Sequence, residues 1–168
     1  MTKHHLLLAL ALTSATAFAD SKPTDPKLVQ LVGHWEGGGT FTLQGTKHTY
    51  KISYGCQRAS VGPGIACTAL AVGKDLRYEE DHLFGYDKAT DTYHLFSVND
   101  WGEAYDHASK WSDAGKVTFQ FDGSHAGKPV REVYTYEFKS ANEIAFHGRF
   151  TSDGKVIGDG EYTLNRAP

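Results

Sequence analysis

The chain has 168 residues, and its 20 acidic side chains outnumber its 17 lysines and arginines, which gives a net charge of −3 with neutral histidines. This balance, together with the lack of a basic patch or an aromatic RNA-binding motif, excludes nucleic acid as an expected partner. The length fits one domain with a substantial core rather than two.

The N-terminus has the pattern of a signal peptide. A basic start at Lys3 leads into an apolar run over 6–12, and Ala-Phe-Ala at 17–19 matches a small-residue cleavage site. The apolar run is shorter than the roughly 20 residues that a membrane span needs, so we expect no stable membrane insertion. A buried N-terminal helix is the alternative interpretation. We predict that residues 1–19 are removed on export and that the protein is periplasmic or secreted.

A short helix is expected next. Asp25 suits an N-cap and Pro26 suits the first helical position, while Gly33 ends the segment. Three apolar side chains between them share one helical face: Leu28, Leu31 and Val32. The pattern predicts a helix of about two turns that closes one end of a barrel.

The following segment, LVGHWEGGGTF over 31–41, combines a large aromatic side chain with three consecutive glycines. Trp35 stands just before Gly37, Gly38 and Gly39. Residues without a Cβ allow two backbones to approach closely, and a large aromatic residue favours burial. The segment therefore predicts a strongly bent first strand that passes close to another backbone.

From His34 onward, apolar and polar residues alternate with a period of two, which is typical of strands with one buried face. Turn-forming residues separate the alternating runs. The predicted strands cover 34–43, 47–56, 65–73, 76–86, 92–99, 104–111, 116–122, 129–138, 143–151 and 155–165.

No helical stretch between these strands would support parallel crossovers. We therefore predict an all-β fold, an antiparallel meander closed as a barrel of about 8–10 strands with a short N-terminal helix. A β-sandwich is the alternative. The barrel would form a single domain over 27–166 after a flexible N-terminus over 20–26, with room for one small ligand.

The two cysteines, Cys56 and Cys67, flank the turn signal Gly62-Pro63-Gly64, so they are placed to face each other across a hairpin. An isolated pair in an oxidising compartment favours a disulfide. Two free buried thiols or a redox pair are the alternatives, although the spacing differs from the C-x-x-C of redox motifs.

Three groups of residues carry a family resemblance. LVGHWEG at 31–37 resembles the opening of calycin-type barrels, LFGYDKATDTY at 83–93 resembles a characteristic hairpin, and GKPVR at 127–131 precedes TSDGK at 151–155. In this order and spacing they resemble the bacterial family catalogued as domain of unknown function 1579, over nearly all of 27–166. The resemblance implies a lipocalin-like barrel and brings no established activity, cofactor or catalytic residue with it.

Several residues are candidates for contact with a ligand. His82 shares a strand face with Tyr78 and Phe84, so it is expected to point into the barrel, where it hydrogen-bonds either a ligand or a buried tyrosine. Trp101 lies in a loop at the expected barrel mouth, where it either covers a pocket or anchors the loop from outside. The predicted lining residues are Trp35, Tyr54, His82, Trp101, Tyr134 and Tyr136.

These features predict an exported barrel that holds a small amphipathic or hydrophobic molecule, with a solidly packed barrel as the alternative. No nucleophile elbow, phosphate-binding loop or H-E-x-x-H motif occurs, and no two histidines after residue 19 are spaced as metal ligands. We therefore expect neither a metal nor a cofactor.

Two other functions stay open at the level of sequence. Acid–base chemistry could use Asp100, Glu103, Asp106 and His107. An enzymatic or haem-binding barrel would instead centre on His82, Asp106 or His147, the last being the late-strand histidine that a distant likeness to the haem-binding nitrobindin barrel requires. An interaction protein that uses its outer face would expose a large apolar patch.

Overall fold

The structure is a computed structural model that describes residues 25–60, 62–111, 115–125 and 127–168. The predicted signal peptide over 1–19 lies outside these residues, as does most of the 20–26 segment. The described elements are a 3₁₀ helix at Leu28–Leu31, β1 Gly33–Leu43, β2 Thr46–Arg58, β3 Ile65–Gly73, β4 Arg77–Asp87, β5 Thr92–Asn99, β6 Ala104–Ser109, β7 Lys116–His125, β8 Lys128–Ser140, β9 Glu143–Ser152 and β10 Lys155–Arg166.

The strands form a closed antiparallel barrel. Each strand pairs with its neighbour in sequence, and β1 pairs with β10, so the sheet has no free edge in the described part of the chain. This confirms the predicted all-β meander and shows that the sandwich alternative is wrong. The shortest strand pairing is that between β6 and β7, which share one register pair, Ala108 with Gln120.

The alternation of the sequence determines which side chains face inward. In β2, the buried positions are Tyr50, Ile52, Tyr54 and Cys56, with half-buried or exposed residues between them. In β8, the buried side chains again fall on every second residue, from Val130 to Tyr136. The period-two pattern therefore produces one continuous inner surface around the barrel.

The N-terminal helix is shorter than predicted. It is one 3₁₀ turn, Leu28–Leu31, rather than two α-helical turns from Pro26. Asp25 still accepts a hydrogen bond from the backbone N–H of Lys27 at 2.8 Å, but β1 already begins at Gly33 and leaves room for one turn only. Within the described residues, no helix is long and apolar enough to cross a membrane.

The glycines of β1 are required by its pairing with β10. A Cβ at Gly37 would lie 1.8 Å from the carbonyl oxygen of Thr163, and one at Gly39 would lie 1.9 Å from that of Glu161. These partners are backbone atoms of the paired strand, so they cannot move aside as a flexible side chain would. The expected close approach of two backbones is confirmed at the seam that closes the barrel.

The predicted disulfide is also confirmed. Cys56 of β2 and Cys67 of β3 are register partners with their Cα atoms 4.1 Å apart, and a disulfide joins them. The bond links the two strands near the hairpin turn that connects them.

We expect Gly37→Ala to destabilise the barrel because the new methyl group clashes with the β10 backbone. The free energy of unfolding, measured by urea denaturation, should fall by about 2 kcal/mol or more. Gly85→Ala in β4 is the matched control, because a Cβ there meets no atom within 4 Å, and its effect should stay within about 0.5 kcal/mol. Equal stability of the two variants would contradict the close approach of β1 and β10.

Candidate binding site

One end of the barrel is closed by Trp35. Its indole N–H donates to the carbonyl oxygen of Leu31 at 2.7 Å, which ties the 3₁₀ helix to β1. The guanidinium of Arg166 lies 4.1 Å from the centre of the indole ring and donates to the carbonyl oxygen of Val32 at 2.6 Å. The helix, β1 and β10 are thereby held together, and this end of the barrel is filled.

The other half of the barrel contains a cavity of about 340 Å³. Residues from several turns surround it at this end, among them Gln44 after β1, Leu76 before β4, and Trp101 between β5 and β6. A cavity of this size lies at the lower end of the range of small-molecule sites.

The cavity walls are mostly aromatic and aliphatic. Four small residues on the inner faces leave the space open: Ala69, Ala71, Gly148 and Gly160. Burial is the largest cause that raises the pKa of the wall tyrosines, to about 12 for Tyr50 and well above the ordinary value of 10 for Tyr134 and Tyr136. These tyrosines keep their hydroxyl protons at any physiological pH and are therefore hydrogen-bond donors.

A buried histidine and glutamate lie side by side on β4, in the wall of the cavity. Nε2 of His82 is 2.9 Å from Oε2 of Glu80, within ion-pair distance, although the ring N–H is not aimed along that line. Nδ1 of His82 is 2.7 Å from the hydroxyl of Tyr54, deeper in the barrel. The three residues form a polar group inside an otherwise aromatic interior.

Glu80 is held in its ionised form. Burial alone would raise the pKa of its carboxyl group, but His82, and after it the hydroxyls of Ser97 and Tyr78, outweigh burial and lower the pKa below its ordinary value of 4.5. A carboxylate therefore lines the cavity at neutral pH.

A second pair joins β6 to β8 across the interior. Nε2 of His107 lies 3.1 Å from Oε2 of Glu132, and its Nδ1 lies 3.3 Å from the carbonyl oxygen of Leu95. The hydroxyl of Tyr134 donates to the same Oε2 of Glu132 at 3.0 Å, and its ring stacks on His107 with the ring centres 4.6 Å apart. Both members of the pair are buried, and Glu132 lines the cavity.

The mouth of the cavity is shaped by the turn between β5 and β6. The side-chain oxygen of Asn99 accepts hydrogen bonds from the backbone N–H groups of Trp101 and Glu103. The carboxylate of Glu103 in turn pairs with His125 at the end of β7. Trp101 is 61% exposed and packs edge-on against Tyr78 with the ring centres 5.1 Å apart. These contacts hold Trp101 over the rim.

Four of the six predicted lining residues border the cavity: His82, Trp101, Tyr134 and Tyr136. The other two do not. Trp35 fills the closed end of the barrel, and Tyr54 is fully buried beneath His82. Both side chains point inward, but they lie deeper along the barrel axis than the four residues that border the cavity.

The residues named for acid–base or haem chemistry do not converge. His147 of β9 pairs with Asp159 on the outer surface, with Nε2 and Oδ2 3.3 Å apart. Asp106 also faces outward and pairs with His94 at 3.0 Å. Of His82, Asp106 and His147, only His82 lies inside, so a haem ligand at His147 would lie outside the cavity. Of the acid–base set, His107 is buried and Glu103 lines the mouth of the cavity, whereas Asp106 and Asp100 are exposed.

The outer surface carries a limited apolar patch. Leu83 of β4 and Phe96 of β5 are register partners, and with the neighbouring Val98 they are exposed to about half of their area. The patch lies on the opposite side of the wall from the cavity and shares no side chain with it.

The sequence analysis missed Glu80 and Glu132. The signal was present, because Glu80 stands on the same strand face as His82, and Glu132 stands on the same face as Tyr134. Their burial was not predicted, because glutamate is rarely buried without a partner, and only the fold brings these partners together.

No family model matches the chain, and no curated protein is similar to it in sequence. Among solved structures, the chain resembles the S-type phycobiliprotein lyase CPES from Guillardia theta with a TM-score of 0.61 and 9% sequence identity. The similarity covers 84% of this chain and 90% of the lyase chain. It shows that the two proteins share a lipocalin-like barrel fold.

We expect Glu80→Gln to lower the free energy of unfolding near neutral pH by on the order of 1–3 kcal/mol. A carboxyl group with a lowered pKa in the folded state stabilises the protein above pH 4.5, and this contribution is lost as the pH falls through the folded-state pKa. The difference from wild type should therefore shrink below pH 4.5, in denaturant titrations repeated across pH.

Glu79→Gln is the matched control for this comparison, because Glu79 precedes Glu80 in β4 but is exposed beside Arg77. Its effect should stay within about 0.5 kcal/mol at each pH. A difference between Glu80→Gln and wild type that grows on acidification would contradict the ionised state of Glu80.

Proposed function

We propose that the barrel binds a small, partly hydrophobic molecule in its interior. The observation that carries this proposal is the cavity of about 340 Å³, which combines aromatic walls with a few fixed polar groups. Apolar walls supply affinity, while convergent polar groups orient a ligand. A packed barrel would instead use large side chains where Ala69 and Ala71 stand.

The likeness to a phycobiliprotein lyase supports the proposal in a general way. A barrel of the same fold belongs to a protein that is named for its action on phycobiliproteins. At 9% identity, neither that reaction nor its ligand transfers to this chain. Membership of the domain of unknown function 1579 family is likewise proposed on the sequence motifs alone.

We also propose that the protein works outside the cytoplasm. The basic start, apolar run and cleavage pattern over 1–19 support export. The Cys56–Cys67 disulfide is compatible with an oxidising compartment. The ligand would then be a molecule of the periplasm or the surrounding medium.

Acid–base catalysis is the second candidate, and one observation favours it: two buried histidine–glutamate pairs lie at the cavity. Binding is better supported, because the ring nitrogens of both histidines already face groups of the protein. The other polar residues that line the cavity include Glu80, Glu132 and the wall tyrosines.

The test is a fluorescence titration with N-phenyl-1-naphthylamine, a neutral apolar dye, on the mature protein. We expect saturable binding by the wild type and at least tenfold weaker binding by Ala71→Phe, about 1.4 kcal/mol, because the new ring occupies the cavity. Native mass spectrometry of the protein purified without denaturation would show a co-purifying ligand by its mass.

Val72→Phe is the matched control, because Val72 follows Ala71 in β3 but points outward and is exposed. It should bind the dye as the wild type does. A wild-type protein that binds no dye, or an Ala71→Phe variant that is folded by circular dichroism and binds it unchanged, would overturn the proposal.

A further inference from the structure

The charged side chains that line the cavity are mostly acidic. Three glutamates border it, Glu80, Glu103 and Glu132, and among the described lining residues there is no lysine or arginine. The histidines His82 and His125 are the lining groups that could carry positive charge. The charge of the interior therefore depends on where the protons of the histidine–glutamate pairs reside.

The contacts of the His107–Glu132 pair determine how many protons the two side chains hold together. Nδ1 of His107 faces the carbonyl oxygen of Leu95, which can only accept, so this nitrogen carries a proton. One further proton lies between Nε2 and Glu132, and the pair is neutral whichever atom holds it. Nε2 of His107 and the hydroxyl of Tyr134 both contact Oε2, and the other oxygen of Glu132 has no hydrogen-bond partner among the described residues.

The Glu80–His82 pair lies in the same interior. Nδ1 of His82 is 2.7 Å from the hydroxyl of Tyr54, and Nε2 of His82 is 2.9 Å from Oε2 of Glu80. Burial raises the pKa of Glu80, but His82 and the hydrogen bonds of the carboxyl group lower it below its ordinary value. Glu80 is therefore an ionised carboxylate in the cavity wall.

The interior therefore holds an ionised carboxylate at Glu80 and an open carboxylate oxygen at Glu132. The hydroxyl of Tyr136, in the same wall, is buried and has no hydrogen-bond partner within the described residues. Carboxylate oxygens in an interior that excludes water favour a ligand that carries positive charge and N–H donors.

Aromatic rings accompany the two carboxylates. Tyr78 precedes Glu80 on the same face of β4 toward the mouth, where Trp101 packs on its ring, and Tyr134 contacts Glu132. Aromatic faces beside carboxylates attract alkylammonium groups through the ring quadrupole, more strongly where water is excluded. An anionic ligand would meet repulsion at the same place.

We propose that the molecule bound in the cavity is an organic cation, an amine or ammonium group on an apolar body, whose charged nitrogen lies between Glu80 and Glu132. This inference rests on the proposed function, since it names the chemical class of the ligand for the same cavity. The apolar body of the ligand contacts the aromatic walls, and the rim at Trp101 covers it.

The experiment compares three probes that share one ring system: 2-naphthylmethylamine, which is protonated at pH 7, neutral 2-naphthylmethanol and anionic 2-naphthylacetate. Each displaces N-phenyl-1-naphthylamine from the full mature protein. We expect the amine to compete at least tenfold more strongly than the alcohol, and the anion to compete most weakly. Glu80→Gln and Glu132→Gln should each reduce the preference for the amine at least threefold.

Glu79→Gln is again the control and should leave the preference unchanged, because this carboxylate faces solvent. Retained binding of the neutral dye shows that each variant is folded around an intact cavity. If a glutamate variant no longer binds the dye, that variant is left out, and the wild-type preference for the amine over the alcohol decides whether the ligand is a cation.

The outcomes separate the two proposals. If the wild type binds the dye but does not prefer the amine, the cation assignment is wrong and the binding function stands. If it binds the dye and prefers the anion, the assignment is likewise wrong. If it binds neither the dye nor any probe, the proposed function fails and the assignment fails with it.

Discussion

The structure depends on the pairing of β1 with β10. Nine register pairs, from Trp35–Arg166 to Leu43–Gly158, join the first and last strands of the sheet. The pairing is possible because Gly37 and Gly39 present no Cβ to the β10 backbone. Without it, an open ten-stranded sheet would expose two edges and would have no interior. The inner face, the cavity and the buried polar groups all follow from this closure.

Closure alone does not decide whether a barrel is packed or hollow. Here the two ends differ. The 3₁₀ helix, Trp35 and Arg166 fill one end through hydrogen bonds to backbone carbonyl groups. Toward the other end, Ala69 and Ala71 face inward where larger side chains would fill the space. The protein therefore keeps a well-packed core that stabilises it and a separate cavity that costs packing energy.

The polar groups inside the cavity are the least expected feature of the fold. Burying two glutamates and two histidines is unfavourable unless each group is satisfied. His107 and Glu132 satisfy each other with help from Tyr134 and Leu95, and Glu80 is held as a carboxylate beside His82. Polar groups of this kind in a cavity wall can orient a ligand, which agrees with the proposed binding function.

The sequence by itself determined the strands, their order and the face on which each side chain lies, because a strand alternates strictly between two faces. This is why His82, Tyr134 and Tyr136 were placed inward from the sequence, and why Cys56 and Cys67 were paired across one hairpin. Depth along the barrel axis, and which residues of distant strands meet, came only from the tertiary structure. Trp35 and Tyr54 share the inward face but lie below the cavity, and His107 meets Glu132 from a strand two places away. The stagger between strands sets these relations, and it accumulates around the whole closed sheet rather than within any local pattern.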